Sequence, residues 1–198
     1  MLKKKFSGLQ SQVGNSLSWI PLHPNHITLL SLMFAALGSI MILFKAPLGV
    51  VMFLISFSLE GLDGAIARAK NLTTPFGAYL DGVSDRIVEF FALLPLFFDP
   101  TLILPALLTL FFGSCMISFS KAYASHRKLM DNKTASDMTT IFARTERNIG
   151  IFLVLVLVVY GYVLEAGILL WALAILSLAS FIYLQEQARR CSGKSKRK

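Results

Sequence analysis

The sequence predicts an all-α membrane protein with six transmembrane helices, and three observations support this prediction. Hydrophobic residues make up 55% of the 198 positions and the mean hydropathy is +0.66, which is more apolar than an average soluble domain. Apolar stretches of about 20 residues, the length that a helix needs to cross a bilayer, recur along the chain. Most of the basic residues that give the net charge of +8 lie between and after these stretches. The predicted spans are residues 27–44, 48–69, 75–98, 102–125, 146–164 and 167–186.

The segment before the first span has a different pattern. Apolar residues recur there at spacings of three and four, with polar residues between them, which predicts an amphipathic helix in the membrane interface. No apolar core follows the N-terminal lysines, so a cleavable signal peptide is not expected. The apolar positions of this helix are Phe6, Leu9, Val13, Leu17 and Ile20.

These patterns divide the chain into three expected regions. Residues 1–24 form the interfacial helix, residues 25–188 form a six-helix membrane domain, and residues 189–198 form a basic cytoplasmic tail. Asn25 or Thr28 is positioned to cap the first span.

The basic residues also predict the orientation of the spans. Lysine and arginine are frequent before span one, between spans two and three, between spans four and five, and in the tail, whereas the opposite loops carry only Lys45. By the positive-inside rule, both termini and the loop between spans two and three are cytoplasmic. Anionic lipid headgroups are therefore the expected contacts of these charges, and no nucleic acid is expected. Cys115 and Cys191 are too few and too far apart for a disulfide scaffold or a zinc site.

Four acidic residues around the loop between spans two and three lie in otherwise apolar sequence. Glu60 and Asp63 are three residues apart and Asp81 and Asp85 are four apart, so each pair projects from one face of a helix. An acid at the centre of a transmembrane helix costs about 2.5 to 3.5 kcal/mol on insertion scales, and such acids usually face a cavity. The nearby arginines can neutralise only part of this charge. Divalent cations prefer carboxylate oxygen, and a site for two metal ions is therefore predicted.

The residues around these acids follow a spaced pattern. The chain reads E-G-L-D-G-A-I-A-R from Glu60, then eight residues, then G-A-Y-L-D-G-V-S-D. This resembles the D-x-x-D-G-x-x-A-R and G-x-x-x-D-x-x-x-D motif of the CDP-alcohol phosphatidyltransferase family. Glu60 stands where the family has its first aspartate, and it keeps the charge on a side chain that is one methylene longer. The matching positions are Asp63, Gly64, Ala67, Arg68, Gly77, Asp81 and Asp85.

The resemblance implies transfer of a phosphatidyl or archaetidyl group from a CDP-linked lipid to an alcohol, with release of CMP. It implies two Mg²⁺ or Mn²⁺ ions and a homodimer, and it makes Asp85 the catalytic base for the acceptor hydroxyl. The implied metal ligands are Glu60, Asp63, Asp81 and Asp85. The implied CDP-binding residues are Asp63, Gly64, Ala67, Arg68 and Gly77.

A second set of basic residues lies at the predicted cytoplasmic ends of spans four and five. Lys121, Arg144 and Arg147 are candidates for binding a phosphate on the acceptor. Family members that use inositol phosphate resemble this chain in the E-R pair entering span five, here Glu146 and Arg147, whereas Lys121 and Tyr123 replace two arginines of their motif at the end of span four. Inositol phosphate is therefore the predicted acceptor, and glycerol phosphate or an unphosphorylated alcohol is the alternative.

Two other functions are compatible with the sequence. A cation transporter would also combine six spans with intramembrane acids, but it would not account for the A-R pair or for the spacing of Gly77. A non-catalytic homologue would account for Glu60. Release of CMP from a CDP-lipid distinguishes all three functions, and both diacylglycerol and archaeol are compatible as the donor backbone.

Overall fold

The computed structural model describes residues 23–195. Every regular element in this range is helical and no β-strand occurs in it, which confirms the all-α prediction. The predicted interfacial helix of residues 1–24 lies almost entirely outside the described residues, and so does the end of the predicted basic tail. The helices are α1 (Pro24–Leu43), α2 (Leu48–Ala69), α3 (Pro75–Leu93), a 3₁₀ helix (Leu94–Phe98), α4 (Ile103–His126), α5 (Asn132–Asp137), α6 (Arg144–Val159) and α7 (Val163–Ser195).

The chain divides after Ala92 into two compact units. In the first unit, α1 and α2 pack as an antiparallel pair whose backbones meet at two glycines. A Cβ atom built on Gly49 would lie 2.8 Å from the carbonyl oxygen of Gly38. Further along the pair, the Ser56 hydroxyl donates a hydrogen bond of 2.9 Å to the carbonyl oxygen of Ser31. Small residues are the usual means by which membrane helices approach this closely.

The turn between α2 and α3 brings the start of α3 back beside the end of α2. Asn71 has a φ of 55° in this turn, and asparagine is among the residues that most often adopt such a conformation. Pro75 then begins α3, where its fixed φ suits the first turn of a helix. The two stretches of the family motif are thereby placed on the end of α2 and on α3.

In the second unit, α6 and α7 are joined by a tight turn at Gly161, whose φ of 86° favours glycine. The two helices pack closely, since a Cβ atom on Gly150 would lie 2.5 Å from Cδ2 of Leu173. The middle of α4, Thr109–Met116, is π-helical. The long connection from α4 to α6 is held against α7 by a hydrogen bond of 2.8 Å from the backbone N–H of Phe142 to the Ser180 hydroxyl.

The short helix α5 within this connection has a well-formed N-terminus. Asp131 accepts hydrogen bonds from the hydroxyl of Thr134 at 2.5 Å and from its backbone N–H at 3.2 Å. These bonds, chiefly the one from the Thr134 side chain, lower the pKa of Asp131. The cap therefore contributes its stabilisation at neutral pH and loses it as the pH falls through this lowered pKa.

Four of the described helices are long and apolar enough to cross a membrane, namely α1, α2, α4 and α7 as far as Cys191. The helices at the predicted third and fifth spans are not both long enough and apolar enough to be included among these four. The third coincides with α3, which carries Asp81, Asp85, Arg86 and Glu89, and the fifth coincides with α6, which has 16 residues. The six-span count therefore stays a prediction.

Candidate active site

A cavity of about 150 Å³ lies in the first unit, at the start of α1, the end of α2 and the first turns of α3. Its wall contains six of the residues that the sequence motif predicts for the site, together with residues that the motif does not include. Ligand pockets for whole molecules usually have volumes of roughly 300–1,000 Å³, so this cavity is smaller than a typical pocket for a whole ligand. The motif residues in the wall are Asp63, Gly64, Ala67, Arg68, Gly77 and Asp81.

The carboxylate of Asp63 is held firmly in this wall. The residue is 3% exposed. Its Oδ2 accepts a hydrogen bond of 2.7 Å from the hydroxyl of Thr28 on α1, and its Oδ1 accepts one of 2.6 Å from the backbone N–H of Gly64. Contacts from two helices therefore fix the position of this carboxylate, which matters for any group that must bind a ligand in one geometry.

Thr28 and Asn25 also line the cavity. The prediction that one of them caps α1 is wrong, because α1 begins at Pro24 and its N-cap is His23, whose Nδ1 accepts a hydrogen bond of 3.3 Å from the backbone N–H of Asn25. The available signal was the position of both polar residues in the first turns of an otherwise apolar helix, directly after Pro24. The hydrogen bond from Thr28 to Asp63 joins residues 35 positions apart, and such a pairing leaves no local pattern in the sequence.

Two glycines in the wall leave part of the cavity free of side chains. A Cβ atom on Gly77 would lie 3.1 Å from the Thr74 hydroxyl and 3.6 Å from Oδ1 of Asn25. Gly77 also donates its backbone N–H to that hydroxyl at 3.0 Å. On α2, a Cβ atom on Gly64 would lie 3.4 Å from Nη1 of Arg68. A side chain at either glycine would fill space that a ligand could occupy, as expected for a site that admits a nucleotide.

The other two predicted acids, Glu60 and Asp85, do not belong to the cavity wall. Glu60 lies one turn before Asp63 on α2 and is half-buried. Asp85 is 6% exposed, and its Oδ2 lies 3.2 Å from Nη1 of Arg86, which also donates to the carbonyl oxygen of Gly82 at 2.9 Å. The structure thus brings Asp63 and Asp81 together at one cavity and leaves Glu60 and Asp85 beside it.

The carboxylates nevertheless have the chemistry that a divalent cation requires. Among the residues that the structure describes, no three histidine, cysteine, aspartate or glutamate side chains converge into a ready metal site. Asp63 and Asp85 instead accept hydrogen bonds from protein donors. Asp63 and Asp81 still offer hard oxygen ligands at a single cavity, which are the ligands that Mg²⁺ and Mn²⁺ prefer, so this donor set fits such an ion.

The predicted acceptor-binding residues belong to the second unit. Lys121 donates from Nζ to the carbonyl oxygens of Met138 at 2.5 Å and of Ser136 at 3.4 Å, which ties the loop before α6 to the end of α4. Arg144 is the first residue of α6 and is half-buried. Arg147 lies one turn later and is 4% exposed. Their joint role in binding a phosphate stays a prediction.

Comparison with known proteins gives a consistent family. The family model described as CDP-alcohol phosphatidyltransferase matches residues 21–183. The chain is 29% identical over 174 residues to the bifunctional IPC transferase and DIPP synthase of Aquifex aeolicus, a match that covers 81% of this chain and 38% of that protein. It is 25% identical over 181 residues to the archaetidylinositol phosphate synthase of Pyrococcus horikoshii, and this match covers 90% of each chain. The chain therefore spans less than half the length of its bifunctional relative.

Solved structures share the fold. The phosphatidylinositol phosphate synthase of Mycobacterium tuberculosis with CDP-DAG bound superposes with a TM-score of 0.73 at 23% identity, covering 90% of this chain and 92% of that one. The same enzyme in complex with manganese and citrate gives 0.74 at 22% identity, covering 90% and 88%. With a family model that matches most of its length and a cavity lined by the family motif, this chain belongs to the CDP-alcohol phosphatidyltransferase family.

Proposed function

We propose that this membrane enzyme transfers a phosphatidyl or archaetidyl group from a CDP-linked lipid to inositol phosphate and releases CMP. The observation that carries the proposal is the cavity at which Asp63 and Asp81 meet the small residues of the family motif. The names of the relatives support the choice of acceptor, since one is an archaetidylinositol phosphate synthase and another a phosphatidylinositol phosphate synthase. The structure of the latter with CDP-DAG supports a CDP-linked donor.

The four acids are proposed to hold two divalent cations, by analogy with the manganese in the structure of the relative. Bound there, a divalent cation would supply Lewis-acid stabilisation of negative charge on the diphosphate. Of the proposed ligands, Asp63 and Asp81 line the cavity, while Glu60 and Asp85 are contributed from the adjoining turns of α2 and α3.

The remaining motif residues have separate proposed roles. Gly64, Ala67 and Gly77 leave room for the cytidine, and Arg68 contacts the diphosphate. Asp85 accepts the proton of the acceptor hydroxyl while that oxygen attacks the phosphorus bearing the lipid. The bond from this phosphorus to the oxygen of CMP breaks, and CMP leaves with the bonding electrons.

The proposed function also requires a membrane topology in which water-soluble acceptors can reach the acidic cluster. We propose that α3 and α6 cross the membrane together with the four longer apolar helices, giving six spans in a domain of residues 25–188. The interfacial helix of residues 1–24, the tail of residues 189–198 and the acidic cluster are then all on the cytoplasmic side, where water-soluble acceptors are available. Two copies are proposed to form a homodimer.

The direct test of the function is a panel of donors and acceptors. Purified enzyme in liposomes is supplied with CDP-diacylglycerol or CDP-archaeol and with inositol phosphate, inositol, glycerol phosphate or serine, and CMP release is measured. Inositol phosphate is expected to be the best acceptor. Absence of CMP release with every pair would contradict the enzymatic assignment, and preference for another acceptor would contradict only the choice of inositol phosphate.

One observation favours an alternative acceptor. Lys121 donates to the carbonyl oxygens of Ser136 and Met138, so its ammonium group already has a structural role in the loop. If this contact persists during catalysis, one of the three proposed phosphate ligands is engaged elsewhere. An unphosphorylated alcohol is then the second candidate, and the response of Arg147 variants separates it from inositol phosphate.

Replacing Arg147 with alanine is expected to raise the KM for inositol phosphate roughly ten- to a hundredfold and to leave the KM for the CDP-lipid nearly unchanged. The reason is the loss of a charge-assisted hydrogen bond to the acceptor phosphate, worth about 1.5 to 3 kcal/mol. Arg127→Ala is the matched control, because Arg127 is an exposed arginine of the same unit. Its Cζ lies 6.0 Å from the centroid of the Tyr123 ring. Equal use of inositol and inositol phosphate by both variants would instead support a plain alcohol as acceptor.

Replacing Thr28 with valine is expected to lower kcat/KM several-fold. Valine keeps the shape of threonine but removes the hydroxyl that donates to Asp63 at 2.7 Å, so the carboxylate loses the hydrogen bond that α1 supplies. Thr28→Ser keeps the hydroxyl and should remain close to the wild type. Thr109→Val controls for the general effect of removing a buried threonine hydroxyl, which there donates to Pro105. Wild-type activity in Thr28→Val would show that Asp63 needs no support from α1.

Exchanging Glu60 for aspartate is expected to be tolerated, with a change in kcat within about threefold, because the charge and the ligand chemistry are retained. Glu60→Gln removes the charge and should cost far more. Both variants are assayed for CMP release over a range of Mn²⁺ concentrations. If Glu60→Gln reached half-maximal activity at the same Mn²⁺ concentration as the wild type, Glu60 would not be a metal ligand.

A further inference from the structure

Arg147 passes directly over the backbone of Gly113 in the second unit. A Cβ atom built on Gly113 would lie 2.8 Å from Cδ of Arg147, 3.2 Å from its Nε and 2.7 Å from the hydroxyl oxygen of Ser177. Real Cβ atoms essentially never approach other atoms within 3.0 Å, so any residue other than glycine requires one of these groups to move. The stem of Arg147 thus lies in a groove that exists because position 113 has no side chain.

The surroundings leave the arginine little room to adjust. Arg147 is 4% exposed, Ser177 is fully buried and Gly113 is buried as well. Close-packed interiors transmit a local displacement because they contain few voids. A methyl group at position 113 would therefore displace the guanidinium along with the stem.

The helix that carries Gly113 is itself irregular at this point. Gly113 lies within the π-helical segment Thr109–Met116 of α4, between regular α-helical turns on either side. Such segments are rare, and they occur often at functional sites. The irregular turn and the glycine coincide where the arginine of the E-R pair crosses α4.

We propose that Gly113 is a positioning residue, which sets the location of the Arg147 guanidinium and thereby the affinity for the acceptor phosphate. This inference rests on the proposed function, in which Arg147 binds that phosphate. Gly113 itself touches no substrate, and its effect passes entirely through the contact with Arg147. Misplacement of a binding group by about 1 Å can cost up to about a hundredfold in rate, so an effect of roughly tenfold is expected here.

The test compares Gly113→Ala, Arg147→Ala and the double variant in the full-length enzyme. The KM for inositol phosphate and the KM for the CDP-lipid are measured separately. Gly113→Ala is expected to raise the first about tenfold and to leave the second within about twofold. In the Arg147→Ala background the same substitution should have no further effect on the acceptor KM, because residues that act through one contact are not additive.

Two other glycines in the same unit provide controls. Gly167→Ala places a methyl group 3.5 Å from Cδ2 of Leu102, an ordinary contact, and should leave both KM values unchanged. Gly150→Ala places a methyl group 2.5 Å from Cδ2 of Leu173 and so introduces a packing defect on α6. This variant shows how such a defect changes the thermal unfolding temperature and the KM values for both substrates. If Gly113→Ala does not fold, Gly113→Ala with Ser177→Ala removes the hydroxyl contact and keeps the contact with Arg147.

The outcomes separate this inference from the proposed function. A wild-type acceptor KM in Arg147→Ala would overturn the acceptor role of Arg147 and this inference with it. A raised acceptor KM in Arg147→Ala together with a wild-type value in the Gly113→Ala enzymes would overturn the inference alone. If Gly113→Ala raised both KM values equally, the pattern would be that of a packing defect and would also overturn the inference alone. Additive effects of the two substitutions on the acceptor KM of the double variant would do the same.

Discussion

Chelation of divalent cations with EDTA is expected to reduce CMP release to background, and Mg²⁺ or Mn²⁺ should restore it. Asp63 and Asp81 place negative charge on the wall of the cavity, and the diphosphate of a CDP-lipid is also negative. Like charges repel strongly in surroundings of low dielectric constant. Arg68 in the same wall can offset only part of this charge, and bound divalent cations are expected to offset the rest when the donor binds.

The same experiment includes a choice of ions and a second readout. Ca²⁺ uses the same oxygen ligands but prefers longer distances and more of them, so it should restore less activity than Mg²⁺ or Mn²⁺. Thermal unfolding with and without Mn²⁺ measures binding independently of turnover, since a ligand that binds only the folded state raises the unfolding temperature. Full turnover in EDTA would contradict the metal assignment, even if the CDP-lipid were confirmed as the donor.

The fold could be predicted where length and hydrophobicity agree. The spans predicted at residues 27–44 and 48–69 correspond closely to α1 and α2, because each is a long apolar stretch that ends at a turn. The third and fifth spans are less clear for physical reasons. Acidic residues on α3 lower its hydropathy. The predicted fifth span extends to residue 164, but α6 ends at Val159 because the chain turns at Gly161.

The candidate site could be predicted to the extent that it depends on helical spacing. Six motif positions line one cavity because two neighbouring helices repeat their small and acidic residues on one face. Spacing alone could not show that Asp85 turns to the adjacent Arg86, or that the third helix at this site, α1, supplies Thr28. These features depend on side-chain rotamers and on tertiary contacts.

The contacts of the basic residues in the second unit could not be predicted from the sequence either. A lysine at the end of a span predicts either a phosphate ligand or a charge that sets topology, but Lys121 holds the loop carbonyls of Ser136 and Met138. The loop must return to α4 for this contact to form, and no pattern in its sequence predicts that return. The crossing of Arg147 over Gly113 likewise depends on the packing of α4 against α6 and α7.

Replacing Asp81 with asparagine is expected to reduce kcat for CMP release by about 100- to 1,000-fold, the loss seen when a single electrostatic stabiliser of a transition state is removed. Asparagine is nearly the same size as aspartate, so the helix should be preserved while the charge and one hard oxygen ligand are lost. Asp81 is a sharper target than Asp85, since it lines the cavity while Asp85 is ion-paired to Arg86. Asp137→Asn makes the same chemical change at an exposed acid of the second unit and should leave activity unchanged.

The response of Asp81→Asn to metal distinguishes two reasons for a loss of activity. If Asp81 is a metal ligand, the variant should need a higher Mn²⁺ concentration for half-maximal activity, and Mn²⁺ should raise its unfolding temperature less than that of the wild type. If Asp81 only shapes the cavity, both metal responses should stay as in the wild type while the KM for the CDP-lipid rises. Wild-type turnover in Asp81→Asn would contradict both roles, because the cavity would then work without the one acid that α3 contributes to its wall.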